Sequence, residues 1–239
     1  MCIRDSRMAL IDALRDIIGP ANVLTGEETA RYSHDWTGKY VWTPLAVVRP
    51  ASREEVAAVL RLCAGAGVPV VPTGGGTGLN GGTFAEGGIM LSLERMNRIR
   101  EIRPASRIAI VEAGVVLSAI HDAAAEHDLA FPLTFGARGS AQVGGFLSTN
   151  AGGSNVVRFG NTRALVLGVE VVLADGRVLD LMSELRKDNT GYDLRDLFIG
   201  AEGTLGVITA AVLKLVPAAR AHATAMVCLL YTSDAADEE

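Results

Sequence analysis

The sequence predicts an α+β fold in which two α/β subdomains enclose a ligand between them. Residues 45–71 follow the order strand, helix, strand, and such a β-α-β unit requires its two strands to run parallel. Residues 166–182 instead carry two strand-like runs around an Ala-Asp-Gly turn, which favours an antiparallel hairpin. Glycine-rich segments in excess of what turns require predict an extended ligand, such as a dinucleotide, contacted mainly by backbone. These segments are 74–82, 136–153 and 200–206.

The elements of the first half follow from periodicity and capping residues. Apolar side chains at helical spacing in 8–18, closed by Gly-Pro, predict a helix, whereas 27–43 predicts an irregular segment. A buried strand is predicted at 45–48. A capping-box sequence then predicts a helix over 52–64, which two glycines end before a strand at 68–71. The first glycine-rich segment therefore leaves the carboxyl end of a strand, where α/β folds bind ligands.

The second half is predicted to be richer in strands. Apolar runs predict one helix at about 117–127 and an extended segment at 130–133. Strands are predicted at 89–93, 108–112, 166–173 and 177–182, and in an apolar run that follows Thr209.

The segment VVPTGGGTGLNGG at 70–82 is the strongest sign of a binding site. A nucleotide P-loop is excluded because no lysine follows the glycines. Residues 76–81 match G-x-G-x-x-G formally, but a Rossmann site needs a helix directly afterwards, and residues 82–93 continue with glycines and a strand-like run. A surface loop without a ligand is the other interpretation. We favour a ligand, and a pyrophosphate above others, because the loop is short and lies between two apolar runs.

Composition narrows the function classes. The 239 residues are 49% hydrophobic and 21% charged with a net charge of −5, which is typical of a globular protein and argues against a nucleic-acid partner. No apolar run of about 18 residues predicts a membrane span, and a cytoplasmic location is expected. The three cysteines form no CxxC pattern, and the four histidines show no H-x-H or H-x-x-x-H spacing. We therefore expect no disulfide framework and no metal site.

Both ends of the chain look foreign to the rest of it. Residues 1–7 precede the first helical pattern without continuing it, and residues 231–239 form a short polar tail. These ends resemble translated adapter remnants, so we predict a non-native leader, a non-native tail and a chain that is a fragment.

Several motifs resemble a known enzyme family. PTGGGTGLNGG at 72–82 resembles the pyrophosphate loop of flavoenzymes with the vanillyl-alcohol-oxidase, or PCMH-type, FAD-binding fold. Further motifs are similar to a narrower group, the D-2-hydroxyglutarate dehydrogenases, D-lactate dehydrogenases and glycolate oxidase subunits. They are DWT at 35–37, KY at 39–40, TNAGG at 149–153, RKDNTGYDL at 186–194 and FIGAEGTLG at 198–206.

The resemblance implies an FAD site and its residues. FAD is expected to be non-covalent because His34 and His121, the nearest histidines, are far from the loop in sequence. The glycine loop would bind the pyrophosphate through N–H groups, and the residues from 202 onwards would contact the ribityl or adenine end. The residues alone leave Glu202 open between this role and a solvated or capping carboxylate. The expected FAD-binding residues are Pro72, Gly74, Gly75, Gly76, Thr77, Gly78, Leu79, Asn80, Gly81, Gly82, Gly136, Gly139, Ser140, Gly144, Gly145, Thr149, Glu202, Gly203, Gly206, Val207 and Ile208.

The resemblance also implies a domain division. An FAD-binding domain is expected at 44–216, with subdomains at about 44–110 and 111–216, after the helix and irregular segment at 8–43. Residues 217–230 would begin a substrate domain, with a strand at about 223–230, and most of that domain would be missing.

The implied function is oxidation of a small D-2-hydroxy acid by hydride transfer from C2 to flavin N5. The catalytic residues and the electron acceptor are not identified from this sequence. Two alternatives are an electron-transfer subunit without its own substrate site and an NADPH-dependent reductase of the same fold. RKDNTGYDL at 186–194 favours the dehydrogenase over both. A truncated chain that does not fold stably alone is a further possibility, because loss of a domain exposes an apolar interface.

Overall fold

The computed structural model describes residues 3–221 and 223–225. The helices are α1 (Ile3–Ile18), α2 (Arg53–Ala66), α3 (Leu117–Ala125), α4 (Val143–Ser148), α5 (Val156–Phe159) and α6 (Arg195–Phe198). The strands are β1 (Val23–Leu24), β2 (Ala46–Val48), β3 (Val70–Thr73), β4 (Ile89–Ser92), β5 (Ile99–Arg103), β6 (Ile108–Glu112), β7 (Leu129–Ala130), β8 (Val166–Val172), β9 (Val178–Leu181), β10 (Val207–Lys214) and β11 (Val216–Pro217). None of the described helices is long and apolar enough to cross a bilayer.

The first sheet has the strand order β1-β2-β4-β3 and contains the predicted β-α-β unit. Strands β2 and β3 run parallel, as predicted, but they are not neighbours, because β4 lies between them and pairs in parallel with both. Ser52 of the predicted capping box is the N-cap of α2, but the reciprocal bond of Glu55 goes to Ala51 rather than to Ser52. The Ser52 hydroxyl accepts from the N–H of Glu55 at 3.2 Å, and the Glu55 carboxylate accepts from the N–H of Ala51 at 2.7 Å. Gly67, with φ of 65°, ends the helix.

The second sheet has the order β5-β6-β10-β8-β9 and is antiparallel throughout. The predicted hairpin joins β8 to β9, with Gly176 at φ of 78° in the turn. Helices α3 and α4 cover this sheet through a shared apolar core that includes Leu117, Ile120 and Phe146. A short ribbon of β7 and β11 completes the subdomain.

The division between the subdomains differs from the sequence-based division near residue 110. Strands β5 and β6 both belong to the second sheet, so the division lies between Ser92 and Ile99. The segment 8–43 is also integrated into the first subdomain, because β1 pairs with β2 and α1 packs its buried Leu14 against α2. Strand β5 was not predicted because its sequence, IREIR, is mostly charged and contains no apolar run.

Three expectations concern the ends of the chain: a non-native leader, a strand at about 223–230 and a non-native tail. Helix α1 begins at Ile3, so it overlaps the segment 1–7 that looks foreign in sequence, and the non-native leader stays a prediction. The strand expected at about 223–230 lies largely outside the described residues, and the tail at 231–239 lies outside them entirely.

A buried ion-pair network ties the two subdomains together. Glu112 is 1% exposed and receives Arg98 at 2.8 Å and Arg100 at 3.4 Å. Arg100 also reaches Glu170 at 3.3 Å, and Glu170 in turn binds Arg53 at 2.7 Å. Because Arg53 lies on α2 of the first subdomain and Glu170 on β8 of the second, the network stabilises the contact between the two subdomains.

Protonation of Glu112 at acid pH is expected to weaken this ion-pair network. Burial raises the pKa of Glu112, but hydrogen bonds and charge from Arg98 and the charge of Arg100 outweigh it, so the pKa is lowered. The resulting stability is present above the unfolded pKa of about 4.3 and is lost as pH falls through the lower folded value. We expect Glu112→Gln to lose about 2 kcal/mol at pH 7. Urea unfolding from pH 7 to pH 3 should show this difference shrinking below about pH 4.

The exposed Glu101 of β5, paired with Arg103, provides a matched control. Glu101→Gln should change the free energy of unfolding far less than Glu112→Gln, since surface pairs contribute little. Equal losses in the two variants would show that the buried network is not a special source of stability.

Candidate functional site

A cavity of about 450 Å³ lies between the two subdomains, and its size falls in the range of small-molecule and cofactor sites. The glycine loop after β3, helix α4 and the turn before β10 supply its walls. The cavity brings together most of the residues predicted from sequence. These are Pro72, Gly74, Gly75, Gly76, Thr77, Gly78, Leu79, Asn80, Gly82, Gly144, Gly145, Thr149, Glu202, Gly203, Gly206, Val207 and Ile208.

Four predicted residues, Gly81, Gly136, Gly139 and Ser140, do not line the cavity. Gly81 faces the ring of Tyr40 on the outer side of the loop, and the carbonyl of Ser140 lies behind Gly75. All four were expected from the family resemblance, and a Cβ on Gly136 or Gly139 would meet no protein atom within 4 Å.

Other lining residues were not singled out from sequence. They are Thr73, Thr83, Leu93, Ala113, Phe135, Ala137, Ala141, Gln142, Phe146, Ser148, Ala151 and Gly152. Those between 137 and 152 lie inside the second glycine-rich segment, so its span was the available signal. Nothing in the local pattern marks Leu93 or Ala113, since only the approach of the two sheets brings them to the cavity.

The glycine loop, residues 74–82, presents a run of unused hydrogen-bond donors. The backbone N–H groups of residues 75–83 donate to no backbone carbonyl of the described residues. Gly76 and Gly81 adopt φ of 65° and 68°, the left-handed conformation that glycine adopts without strain. Consecutive free N–H groups in such a loop form a nest for an anion. The loop therefore has the chemistry to bind a pyrophosphate.

The glycines of the site serve two different purposes. A Cβ on Gly75 would lie 2.7 Å from the carbonyl carbon of Ser140 and overlap its oxygen, so glycine is needed there for the two glycine-rich segments to touch. A Cβ on Gly78 or Gly145, both of which line the cavity, would meet no protein atom within 4 Å. These open positions leave room for a ligand to approach the backbone closely.

The third glycine-rich segment joins the other two. Glu202 has φ of 54° and donates its N–H to the carbonyl of Ser148, at the end of α4, at 2.8 Å. A Cβ on Gly203 would lie 2.5 Å from Cγ of Pro72, beside the glycine loop. All three segments predicted to share one ligand thus meet around one cavity.

The electrostatics of the cavity favour recognition by backbone rather than by cationic side chains. Among its described lining residues, Glu202 is the sole one with an ionisable side chain. Apolar side chains such as Leu93, Phe135 and Phe146 supply a surface for a flat ring system. The Oε1 atom of Gln142, another lining residue, is buried without a hydrogen-bond partner among the described residues. The donors, the apolar walls and this unpaired amide together fit a dinucleotide with an aromatic ring.

His34, His121 and His127 lie outside the cavity. The Nε2 atom of His121 lies 2.8 Å from the carbonyl oxygen of Leu133, and His34 forms a bridge with Val41. Neither these two nor His127 lines the cavity. Across the described ranges, no group of three or more His, Cys, Asp or Glu side chains is arranged for a metal ion. Non-covalent attachment and the lack of a metal stay predictions.

Comparisons with known proteins agree with this geometry. Residues 44–182 match the family described as "FAD binding domain". The chain is 48% identical over 185 residues to D-2-hydroxyglutarate dehydrogenase of Xanthomonas citri pv. viticola, covering 77% of this chain and 39% of that protein. It is 46% identical over 195 residues to mitochondrial D-2-hydroxyglutarate dehydrogenase of Bos taurus, covering 80% and 36% respectively. The chain thus spans less than half the length of these curated relatives.

A solved structure of alkyldihydroxyacetonephosphate synthase matches the fold with a TM-score of 0.79 at 19% identity, covering 90% of this chain and 41% of that one. The expected PCMH-type FAD-binding fold and the expected cofactor, FAD, are confirmed. The match over 44–182 extends across more than half of the chain, and the protein belongs to the family of FAD binding domains.

Proposed function

We propose that this chain is the FAD-binding portion of a flavin-dependent D-2-hydroxy-acid dehydrogenase. The observation that carries the proposal is the glycine loop, whose N–H groups from 75 onwards have no backbone acceptor among the described residues and whose residues other than Gly81 line the cavity between the sheets. The names of the relatives supply the substrate class, since both dehydrogenases are named for D-2-hydroxyglutarate.

The residues of the cavity have separable tasks in this proposal. The N–H groups of residues 75–83 would hold the pyrophosphate, and the apolar walls would exclude water from the ring system. The chemistry that FAD supplies when bound is acceptance of a hydride from C2 of the hydroxy acid, which becomes a 2-oxo acid once its hydroxyl proton passes to a base.

Recognition of the substrate carboxylates is proposed to lie outside this cavity. Among its described lining residues there is no Arg, Lys or His to pair with a carboxylate. The relatives are more than twice as long as the region they share with this chain, and we place the substrate-binding residues and the base in their additional length. A cytoplasmic location stays a prediction, because the Bos taurus relative is named as mitochondrial.

A titration of the purified 239-residue chain with FAD tests the cofactor site. We expect one FAD per chain, with a perturbed flavin absorbance spectrum, and full release of the flavin into the supernatant on acid precipitation. Flavin that stays in the pellet would contradict non-covalent attachment. A chain that is folded by circular dichroism and binds no FAD would overturn the proposal.

The reaction itself is tested on the longer parent protein. We expect D-2-hydroxyglutarate to bleach the flavin absorbance under anaerobic conditions and the L-enantiomer to leave it unchanged. Bleaching by NADPH instead would favour the reductase. A flavin that neither compound reduces, but that exchanges electrons with a protein partner, would favour the electron-transfer subunit.

A further inference from the structure

The segment 33–42, called here the Asp35 hairpin, folds back on itself beside the glycine loop. The N–H of Asp35 donates to the carbonyl of Tyr40 at 3.1 Å, and the N–H of Trp42 donates to the carbonyl of Ser33 at 2.9 Å. The buried carboxylate of Asp35 accepts from the Thr37 hydroxyl at 2.6 Å and from the N–H of Tyr40 at 3.1 Å. The backbone of Tyr40 is therefore held from both sides by Asp35.

These bonds hold at neutral pH because Asp35 stays ionised. The hydrogen bond from the Thr37 hydroxyl is the largest influence on the pKa of Asp35 and lowers it; burial raises the pKa, but backbone N–H groups, that of Tyr40 first, add to the lowering, so the pKa is lowered overall. An ionised carboxylate accepts both hydrogen bonds without a competing proton. The hairpin thus fixes the backbone from which the side chain of Tyr40 projects.

The ring of Tyr40 packs directly on Gly81 of the glycine loop. A Cβ built on Gly81 would lie 3.2 Å from Cγ of the ring and 3.3 Å from both Cδ atoms. Gly81 also has φ of 68°. Close approach and backbone conformation therefore both require glycine at 81, and the contact is made by the ring rather than by the phenol hydroxyl.

The glycine loop needs such outside support. Its N–H groups from 75 to 82 bond to no backbone carbonyl of the described residues, and a turn bond runs from the N–H of Phe84 to the carbonyl of Gly81 at 3.0 Å, so its own hydrogen bonds fix its shape only at that end. Besides looser contacts of Gly74 with Gly145 and of Gly82 with Glu202, its two tightest packing contacts are Gly75 against Ser140 and Gly81 against Tyr40. Between them Gly76 and Gly78, where a Cβ would meet no protein atom within 4 Å, line the cavity.

We propose that Tyr40 is a positioning residue, which through its ring contact with Gly81 holds the glycine loop in the conformation that binds the FAD pyrophosphate. The inference rests on the FAD site proposed above. A loop already held in its binding conformation loses less conformational entropy when the ligand arrives, so its affinity is higher. The contribution of Tyr40 therefore belongs to FAD binding more than to the stability of the apoprotein.

The test compares FAD dissociation constants for the full 239-residue chain and its variants. We expect Tyr40→Ala to bind FAD about tenfold more weakly and Tyr40→Phe, which keeps the ring, within about twofold of wild type. Trp36 lies in the same hairpin, is 73% exposed and is not among the atoms nearest to Gly81, so Trp36→Ala is the matched control and should bind like wild type. Melting temperatures of the apoproteins monitor folding.

A double-mutant cycle with Gly81 sharpens the test. Gly81→Ala alone should weaken FAD binding because the new Cβ presses on the Tyr40 ring and φ is positive. In Tyr40→Ala/Gly81→Ala the ring is gone, so the loss should be smaller than the product of the two single losses.

Each outcome decides the inference. It is overturned if wild type binds FAD and Tyr40→Ala binds equally well, if Tyr40→Phe is as weak as Tyr40→Ala, if Trp36→Ala is equally weak, or if the cycle is multiplicative. A folded wild-type chain that binds no FAD removes the proposed function itself, and the inference with it.

Discussion

Gly78→Val is expected to abolish FAD retention while leaving the apoprotein folded. Gly78 does not adopt a positive φ, and a Cβ there would meet no protein atom within 4 Å, so we expect the apoprotein to tolerate a side chain at this position. The space it fills belongs to the cavity. We expect FAD affinity to fall by more than about 100-fold, equivalent to about 2.7 kcal/mol, with an unchanged melting temperature of the apoprotein.

Two further glycines make this prediction specific. Gly65 in α2 is equally open and lies outside the cavity, so Gly65→Val should retain FAD, and helix stability should not fall because valine has a higher helix propensity than glycine. Gly139 was predicted from sequence to bind FAD but does not line the cavity, and Gly139→Val should also retain FAD. If Gly78→Val binds FAD normally, the loop does not face the ligand, and loss of FAD in Gly139→Val would restore that residue to the site.

Gly75→Ala is expected to damage both the fold and the cofactor site. Its Cβ would overlap the carbonyl oxygen of Ser140, a backbone atom that cannot swing aside as a side chain can. The two glycine-rich segments must then separate, at a cost of about 1–3 kcal/mol of unfolding free energy. Urea unfolding of the apoprotein measures that cost, and an FAD titration measures the accompanying loss of affinity.

Gly78→Ala is the matched control, since it adds the same methyl group to the same loop in open space. It should leave the free energy of unfolding close to that of wild type. Equal stability of Gly75→Ala and wild type would show that the loop and the Ser140 segment are not in contact.

The regular elements and the family could be predicted because their signals are local. A few consecutive residues are enough to recognise the N-cap at Ser52, the turn at Gly176 and the apolar runs of β2, β3, β8 and β10. The residues directly after the glycine loop were also enough to argue against a Rossmann site, since the next regular element there is strand β4 rather than a helix.

Helix α4 shows why other parts escaped prediction. It contains Gly144 and Gly145, and glycine destabilises a helix interior by about 1 kcal/mol relative to alanine, so no helical pattern is visible. Tertiary packing provides the reason for Gly144, because a Cβ there would lie 3.2 Å from the Cβ of Ala113 on the facing sheet. A residue type that is required by a contact with a distant segment does not contribute to the hydrophobic periodicity from which helices are predicted.

The sequence by itself determined, through its motifs, that this is an FAD-binding protein of two subdomains, and it predicted that three glycine-rich segments share one ligand. The strands, the helices and the glycine-rich segments follow from hydrophobic period and from which residues lack a Cβ, whereas FAD and the fold family follow from the resemblance of the motifs. Only the tertiary structure decided which glycines face the cavity and which face protein, as Gly78 and Gly81 show within one loop. The physical reason is that a glycine in the sequence does not show what occupies the space where its Cβ would be, which can be a ligand, a carbonyl or the ring of Tyr40.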